Sequence, residues 1–190
     1  MATIGLDKLV YAPITEDKNG NETYGTPVQL AKAISVDLSI ELNEAILFAD
    51  DGQSETVKEF KNGTISLGVD DIGNEAAVAL VGATLDSNGV LISGGEDLSQ
   101  YVAIGFRAKK SNGKYKYYWL YRVLFGIPAT SLATKGDSIT FSTPTIEGAI
   151  YRRNKPDGKN KHPWKAEVTE TQENSETISA WYDSVYEPEY

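Results

Sequence analysis

Period two dominates the chain. Residues 34–42 set Ile34, Val36, Leu38, Ile40 and Leu42 against Ser35, Asp37, Ser39 and Glu41, the pattern of a strand with one face on a core and the other in water. Residues 64–70 repeat the pattern, with Ile65, Leu67 and Val69 on one side. Val102, Ile104 and Phe106 alternate with Tyr101, Ala103, Gly105 and Arg107; a turn at Ser111, Asn112 and Gly113 follows, then residues 115–124. Residues 101–124 therefore predict one long hairpin. Residues 138–142 alternate again, Ile139 and Phe141 against Ser138, Thr140 and Ser142, while residues 9–14 and 90–92 are weaker strand candidates. One segment departs from this rhythm. Residues 74–83 are Ala-rich, with Asn74 able to cap a helix and Gly82 able to end it, which predicts one short amphipathic helix laid on a sheet. The pattern as a whole is mostly antiparallel β with a single helix.

Two stretches do not read as core. Residues 43–63 hold the turn signals Asp50-Asp51-Gly52 and Lys61-Asn62-Gly63 between short apolar pieces. They predict a long exposed excursion or a partly formed hairpin, uncommon in a compact domain unless it has a role. The second stretch is C-terminal. Arg152, Arg153, Lys155, Lys159, Lys161 and Lys165 stand against Asp157, a net +5 over residues 152–165. Residues 166–190 carry Glu167, Glu170, Glu173, Glu176, Asp183, Glu187 and Glu189 with no cation, a net −7. Such a split predicts docking on a neighbouring copy or folding back on the same subunit, and Pro156, Pro163 and Pro188 favour the first, as an extended arm. The chain divides into a domain over residues 1–151, with an extended loop at 43–63, and a C-terminal arm over residues 152–190.

Composition narrows the chemistry. The chain has 190 residues and a net charge of −9, with no cysteine and a single histidine, His162. Disulfides, thiolate metal sites and Cys nucleophiles are excluded, and little material remains for a Ser–His–Asp mechanism. His162 sits in a polar loop with no carboxylate near it in sequence to orient the ring. The doublets Asp50-Asp51 and Asp70-Asp71 lack the converging oxygens that a cation needs. No phosphate loop, zinc-protease, nucleophile-elbow or Ca-loop motif occurs, so neither an enzyme nor a cofactor is expected. The longest apolar run, residues 76–81, is far too short to span a bilayer, and residues 1–9 lack the pattern of a secretory signal. Tyr115, Tyr117, Trp119 and Tyr121 share one strand face, with Tyr118 opposite. Such a ladder can pack as core, form an interface or bind sugars.

The chain resembles the major tail proteins, or tail tube proteins, of long-tailed bacteriophages of Gram-positive hosts. The likeness covers nearly the whole sequence. It rests on the opening strand from Gly5 to Ala12, the strand from Ala33 to Leu42, and Asp70-Asp71-Ile72-Gly73-Asn74-Glu75 before the helix. Val102-Ala103-Ile104-Gly105-Phe106-Arg107, Tyr118-Trp119-Leu120-Tyr121-Arg122-Val123 with Phe125 and Pro128, Asp137-Ser138-Ile139-Thr140-Phe141 and Glu147-Gly148 complete it. The resemblance implies a β-sandwich or partial barrel with one short helix, forming hexameric rings that stack into a hollow tube for DNA ejection. It implies no enzymatic activity. Its implied partners are the chain itself, a tape measure protein, a tail terminator and distal tail proteins, with DNA passing unbound through the lumen and no membrane. Location would be the virion tail, and the host cytoplasm during assembly.

A DNA conduit needs a hydrated lumen without cations that would grip phosphates. Ser35, Asp37, Ser39, Glu41, Ser138, Thr140 and Ser142 suit that surface. Asp50, Asp51, Lys58, Lys61, Arg152, Arg153 and Trp164 are the expected contacts between stacked rings. The alternatives are the inner tube of a contractile tail or tail-like bacteriocin and, in a different class, a carbohydrate-binding β-sandwich using the aromatic ladder.

Overall fold

The computed structural model describes residues 2–18, 20–49, 52–129 and 142–190, with residues 48, 49 and 52–54 as backbone alone. The order is β1 (Thr3–Glu16), β2 (Glu22–Tyr24), β3 (Val28–Ala31), β4 (Ala33–Ala49), β5 (Gly52–Val69), α1 (Asn74–Val81), β6 (Thr84–Leu85) and β7 (Leu91–Ile92). There follow β8 (Tyr101–Lys110), β9 (Tyr115–Phe125), β10 (Thr145–Tyr151), β11 (Lys165–Thr169) and α2 (Ser175–Ser179). Every pairing is antiparallel, and the main sheet runs β2-β1-β8-β9-β10-β5-β4, with β3 beside β1 and β11 beside β9. The sheet curls until β1 lies against β4 without pairing to it, which makes a partial barrel. The fold is mainly β, as the alternation predicts.

The central strands are covered on both faces, which explains why residues 102–106 contain no polar side chain. On the inner face Ile65, Leu67, Val102, Ile104, Leu120, Val123, Ile146 and Ile150 meet Leu80 of α1, all fully buried. On the outer face of β8 and β9, Ala103, Tyr117, Trp119 and Tyr121 form a second core with Trp181 and Val185. β9 shares one edge lengthwise between two partners: Arg122–Phe125 pair with β10, and Lys116–Leu120 pair with β11.

Several expectations are corrected. The excursion at 43–63 is no loop but the outer part of a hairpin, the more ordered of its two expected forms: β4 and β5 pair from Ala33↔Val69 to Ala49↔Gly52, with register shifts at Ala33/Ser35, Glu41/Leu42 and Leu47/Phe48. Two helices are present among the described residues. The N-cap of α1 is Gly73 with no side-chain cap; the Asn74 amide instead donates to the Gly89 carbonyl at 3.4 Å. Gly82 does end α1 in the left-handed region at φ 80°, and a Cβ there would collide with the Leu98 carbonyl. Of the strand expected at 138–142, only Ser142 falls within the described residues.

Candidate functional site

β4 is an edge strand of 17 residues. Among the described residues only β5 pairs with it, so one side of β4 presents a row of backbone donors and acceptors with no strand beside them. The register sorts its side chains. Val36↔Leu67 and Leu38↔Ile65 share the inward face, while Asp37↔Ser66 and Ser39↔Thr64 share the outward one. Of the inward row only Val36 packs on the inner core, half-buried, so the burial predicted for residues 34–42 holds there and fails for the rest. Ile34 is 54% exposed and Leu42 56%, and Leu38, Ile40 and Ile46 are also exposed. The physical reason is the seam. β1 approaches β4 without closing the barrel and leaves an open cleft of about 500 Å³ walled by Thr3, Leu6, Ile34, Leu38 and the stacked pair Phe106–Tyr118. Beyond it, Leu42, Ile46, Leu47 and Val57 are exposed on the outer part of the hairpin, with no layer over them among the described residues.

The outward face has the opposite character. β4 contributes Ser35, Asp37 and Ser39; β5 contributes Thr64, Ser66 and Gly68. The register Thr145↔Gly68, Glu147↔Ser66 and Ala149↔Thr64 adds β10 to the same plane. This three-strand patch holds small hydroxyls and two carboxylates, no cation and nothing larger and apolar than alanine. Sequence reading found its β4 column and missed the other two, because the β5–β10 pairing joins residues about eighty positions apart. The alternation at residues 64–70 was the available signal for Thr64 and Ser66.

The remaining predicted lumen positions divide. Ser142 is exposed just ahead of β10; Glu41 is exposed and pairs with Lys61 at 3.3 Å; Ser138 and Thr140 lie outside the described residues. Of the predicted ring contacts, Asp50 and Asp51 lie outside the described residues, and Lys58 is exposed and pairs with Glu44 at 3.2 Å. Arg152 is exposed, donates to the Phe60 carbonyl and lies 5.9 Å from that ring. Arg153 is corrected: it is 1% exposed, bonds Glu187 at 2.7 Å and lies over the Tyr121 ring, so it holds its own subunit together. Trp164 likewise stacks on Phe60 at 4.6 Å and packs on the inner core.

Residues 152–190 fold back on their own subunit, which corrects the expectation of an extended arm reaching a neighbouring copy: β11 pairs with β9, and Trp181 and Val185 cover the second core. Lys155 joins Arg153 on Glu187, and Glu167 bridges Lys116 and Lys165 at 2.8 Å each. Those two ammonium groups hold the Glu167 carboxyl below its usual range. The Trp119 indole donates to the Trp181 carbonyl at 3.0 Å, and the Tyr121 hydroxyl to the Tyr186 carbonyl at 2.9 Å. Burial pushes the Tyr24, Tyr121 and Tyr182 hydroxyls well above their ordinary values, so these phenols stay neutral. The aromatic ladder is thus core: Trp119 and Tyr121 are fully buried, which removes the platform on which a carbohydrate site depended. The His162 ring is exposed, with Nδ1 at 3.0 Å from the Arg153 carbonyl.

Among the described residues no group of three or more His, Asp or Glu side chains could hold a metal, and no helix is long and apolar enough to cross a membrane. The features that stand out among the described residues are the open edge of β4 and the cleft beside it. Neither a protein-family profile nor a curated protein sequence matches the chain. Among solved structures it is similar to the tube-terminating cap of the anti-feeding prophage, seen by cryo-electron microscopy. The identity is 11% and the TM-score 0.42, over 90% of this chain and 93% of that one. A likeness at that level decides neither relationship nor role.

Proposed function

We propose that this chain is a self-assembling structural protein of a phage-type tail, whose copies pair side by side into rings that stack as a tube for DNA. The observation that carries the reading is β4. A 17-residue edge with exposed Ile34, Leu38, Ile40 and Leu42 is an aggregation hazard in a lone subunit and a ready seam in an oligomer. Pairing β4 with the neighbour's sheet would satisfy the open edge and cover the apolar row at once. The same pairing would continue the outward patch from subunit to subunit, giving a wall of hydroxyls and carboxylates. That wall suits a polyanion which must slide without sticking. The reading includes no enzymatic step and no cofactor, and takes the chain itself as the first partner.

Negative-stain electron microscopy of the concentrated protein, with sedimentation velocity, tests it. Rings or tubes with an axial channel are expected, and Asp37→Lys with Glu147→Lys should leave the rings intact while stalling DNA passage in an assembled tail. A chain that stays monomeric at every concentration, with β4 exposed, would refute the reading.

A further inference from the structure

Charge is segregated along β8. The 45 residues from 62 to 106 contain Asp70, Asp71, Glu75, Asp86, Glu96 and Asp97 and not one cation. The next ten, residues 107–116, contain Arg107, Lys109, Lys110, Lys114 and Lys116 and not one acid. β8 runs from the first group to the second, so its two ends lie about 30 Å apart at ~3.3 Å per residue.

Each end also carries apolar surface. At the α1 end a groove of about 250 Å³ is lined by Ala77, Val81, Leu91, Ile127 and Pro128 with Asp97 at its rim. Beside it Leu98 is 81% exposed, and Val90 and Ile92 are exposed on the β6–β7 hairpin. The carboxylates there bond backbone: Asp70 accepts from the Lys32 amide, Asp86 from Asn88 and Val90, Asp97 from Gly94; Lys32, beside Asp70, is a cation at this end. Those amides hold the Asp70 and Asp86 carboxyls below their ordinary range, so the charge persists into mild acid. At the other end Thr3↔Lys110 and Gly5↔Lys109 bring Ile4, 66% exposed, among the lysines of the β8–β9 tip. Three acids temper that tip: Asp7 takes Arg107, Glu167 takes Lys116, and Glu170 accepts from the Tyr115 amide. Lys109 and Lys114 are exposed and have no ion pair among the described residues, and the Lys110 ammonium donates to the Thr169 hydroxyl.

We infer that these two ends are the stacking faces: the tip with Ile4, Lys109, Lys110 and Lys114 of one copy docks on the groove with Leu91, Leu98, Glu96 and Asp97 of the next. The occupant is a second copy of this chain, because each end supplies what the other lacks, an apolar knob ringed by cations against an apolar groove ringed by carboxylates. The contact is heterologous and leaves one face of each kind free, so it propagates as an open stack. The distal hairpin is a poorer occupant of the groove. Residues 41–61 carry Glu41, Glu44, Asp50, Asp51, Glu55 and Glu59 against Lys58 and Lys61. Like charge would oppose them there. The inference rests on the proposed tube for its biological setting, but lateral pairing through β4 and end-to-end docking use different residues and fail separately.

Two charge-reversed chains test it, Lys109→Glu with Lys114→Glu and Glu96→Lys with Leu98→Lys, all at exposed positions. Each variant alone should keep its melting temperature and its rings, and yield about tenfold less pelletable polymer than the unaltered chain, since like charges now face each other. Mixing the two variants should restore polymer, because each now complements the other. Polymer from either variant at the unaltered yield, or no rescue on mixing, overturns the inference. Should the unaltered chain form no polymer at all, the tube reading fails by itself. Carbodiimide coupling then decides the docking: an intermolecular link from Lys109 or Lys114 to Glu96 or Asp97 supports it, and its absence overturns it.

Discussion

Residues 43–63 and residues 152–190 look alike in sequence: both are polar, turn-rich and rich in charge, and neither shows the alternation of a core strand. The fold treats them oppositely. The first stretch extends the β4–β5 hairpin into solvent, where Ile46, Leu47 and Val57 are exposed among the described residues. The second returns to its own subunit, adds β11 to the sheet and lays Trp181 and Val185 over the second core. What separates them is the surface each can reach. The C-terminal segment carries large aromatic side chains and lies beside an otherwise uncovered row of Tyr117, Trp119 and Tyr121. The hairpin packs Phe60 on Trp164 at its base, and its outer part carries scattered aliphatics among charges. Stability is thus concentrated in one appendage, and assembly, on the present reading, in the other.

The sharpest break of that comparison is truncation after Tyr151. It uncovers Trp119 and Tyr121, opens one edge of β9 along Lys116–Leu120 while β8 still holds the other, and removes the partners of two buried side-chain donors. Exposing a large buried side chain costs about 1.5–3 kcal/mol, and Trp119 and Tyr121 both lose their cover, so thermal unfolding should show a molten or unfolded chain at 37 °C. A truncated protein melting near the full-length temperature would show that the segment is a removable arm after all.

A smaller effect is expected from acid. Glu167 starts from an unfolded value of 4.5 and is held lower when folded, by Lys116 first and then Lys165. Its contribution is therefore complete above pH 4.5 and is lost as pH falls through the depressed folded value. Glu167→Gln should flatten the fall in stability below pH 4.5 by a few tenths of a kcal/mol, the scale of a half-exposed ion pair. Urea titrations at pH 3 and pH 7 measure the difference between the two slopes.

The smallest effect on the subunit should come from Leu42→Ser with Ile46→Ser. Both side chains stand in solvent, and surface changes away from packed features stay within about 0.5 kcal/mol. Chemical denaturation should barely move, while light scattering should show assembly strongly reduced. A large loss of monomer stability would mean that the hairpin packs on its own barrel.

Local alternation was enough to place β8, β9, the inner half of β5 and the Ser111–Gly113 turn, where Gly113 has φ 83°. Composition was enough to place α1 and its end at Gly82. Each depends on neighbours within one turn or one strand, so the information is in the string itself. The row Ile34, Val36, Leu38, Ile40 and Leu42 shows the limit of that information. Period two declares that a strand has two chemically different faces; it does not say what lies against either one. Burial of Ile65 and exposure of Ile34 follow from where β1 stops short of β4, a contact between distant parts of the chain. The same holds for Arg153, which reads as one more cation in a basic run. It becomes a buried anchor only because Glu187, Tyr24 and Tyr121 converge on it from three other segments. The sequence by itself determined the elements and the chemistry of their faces. Only the tertiary structure decided which faces meet, because closing those contacts depends on which surfaces distant segments bring within reach of one another.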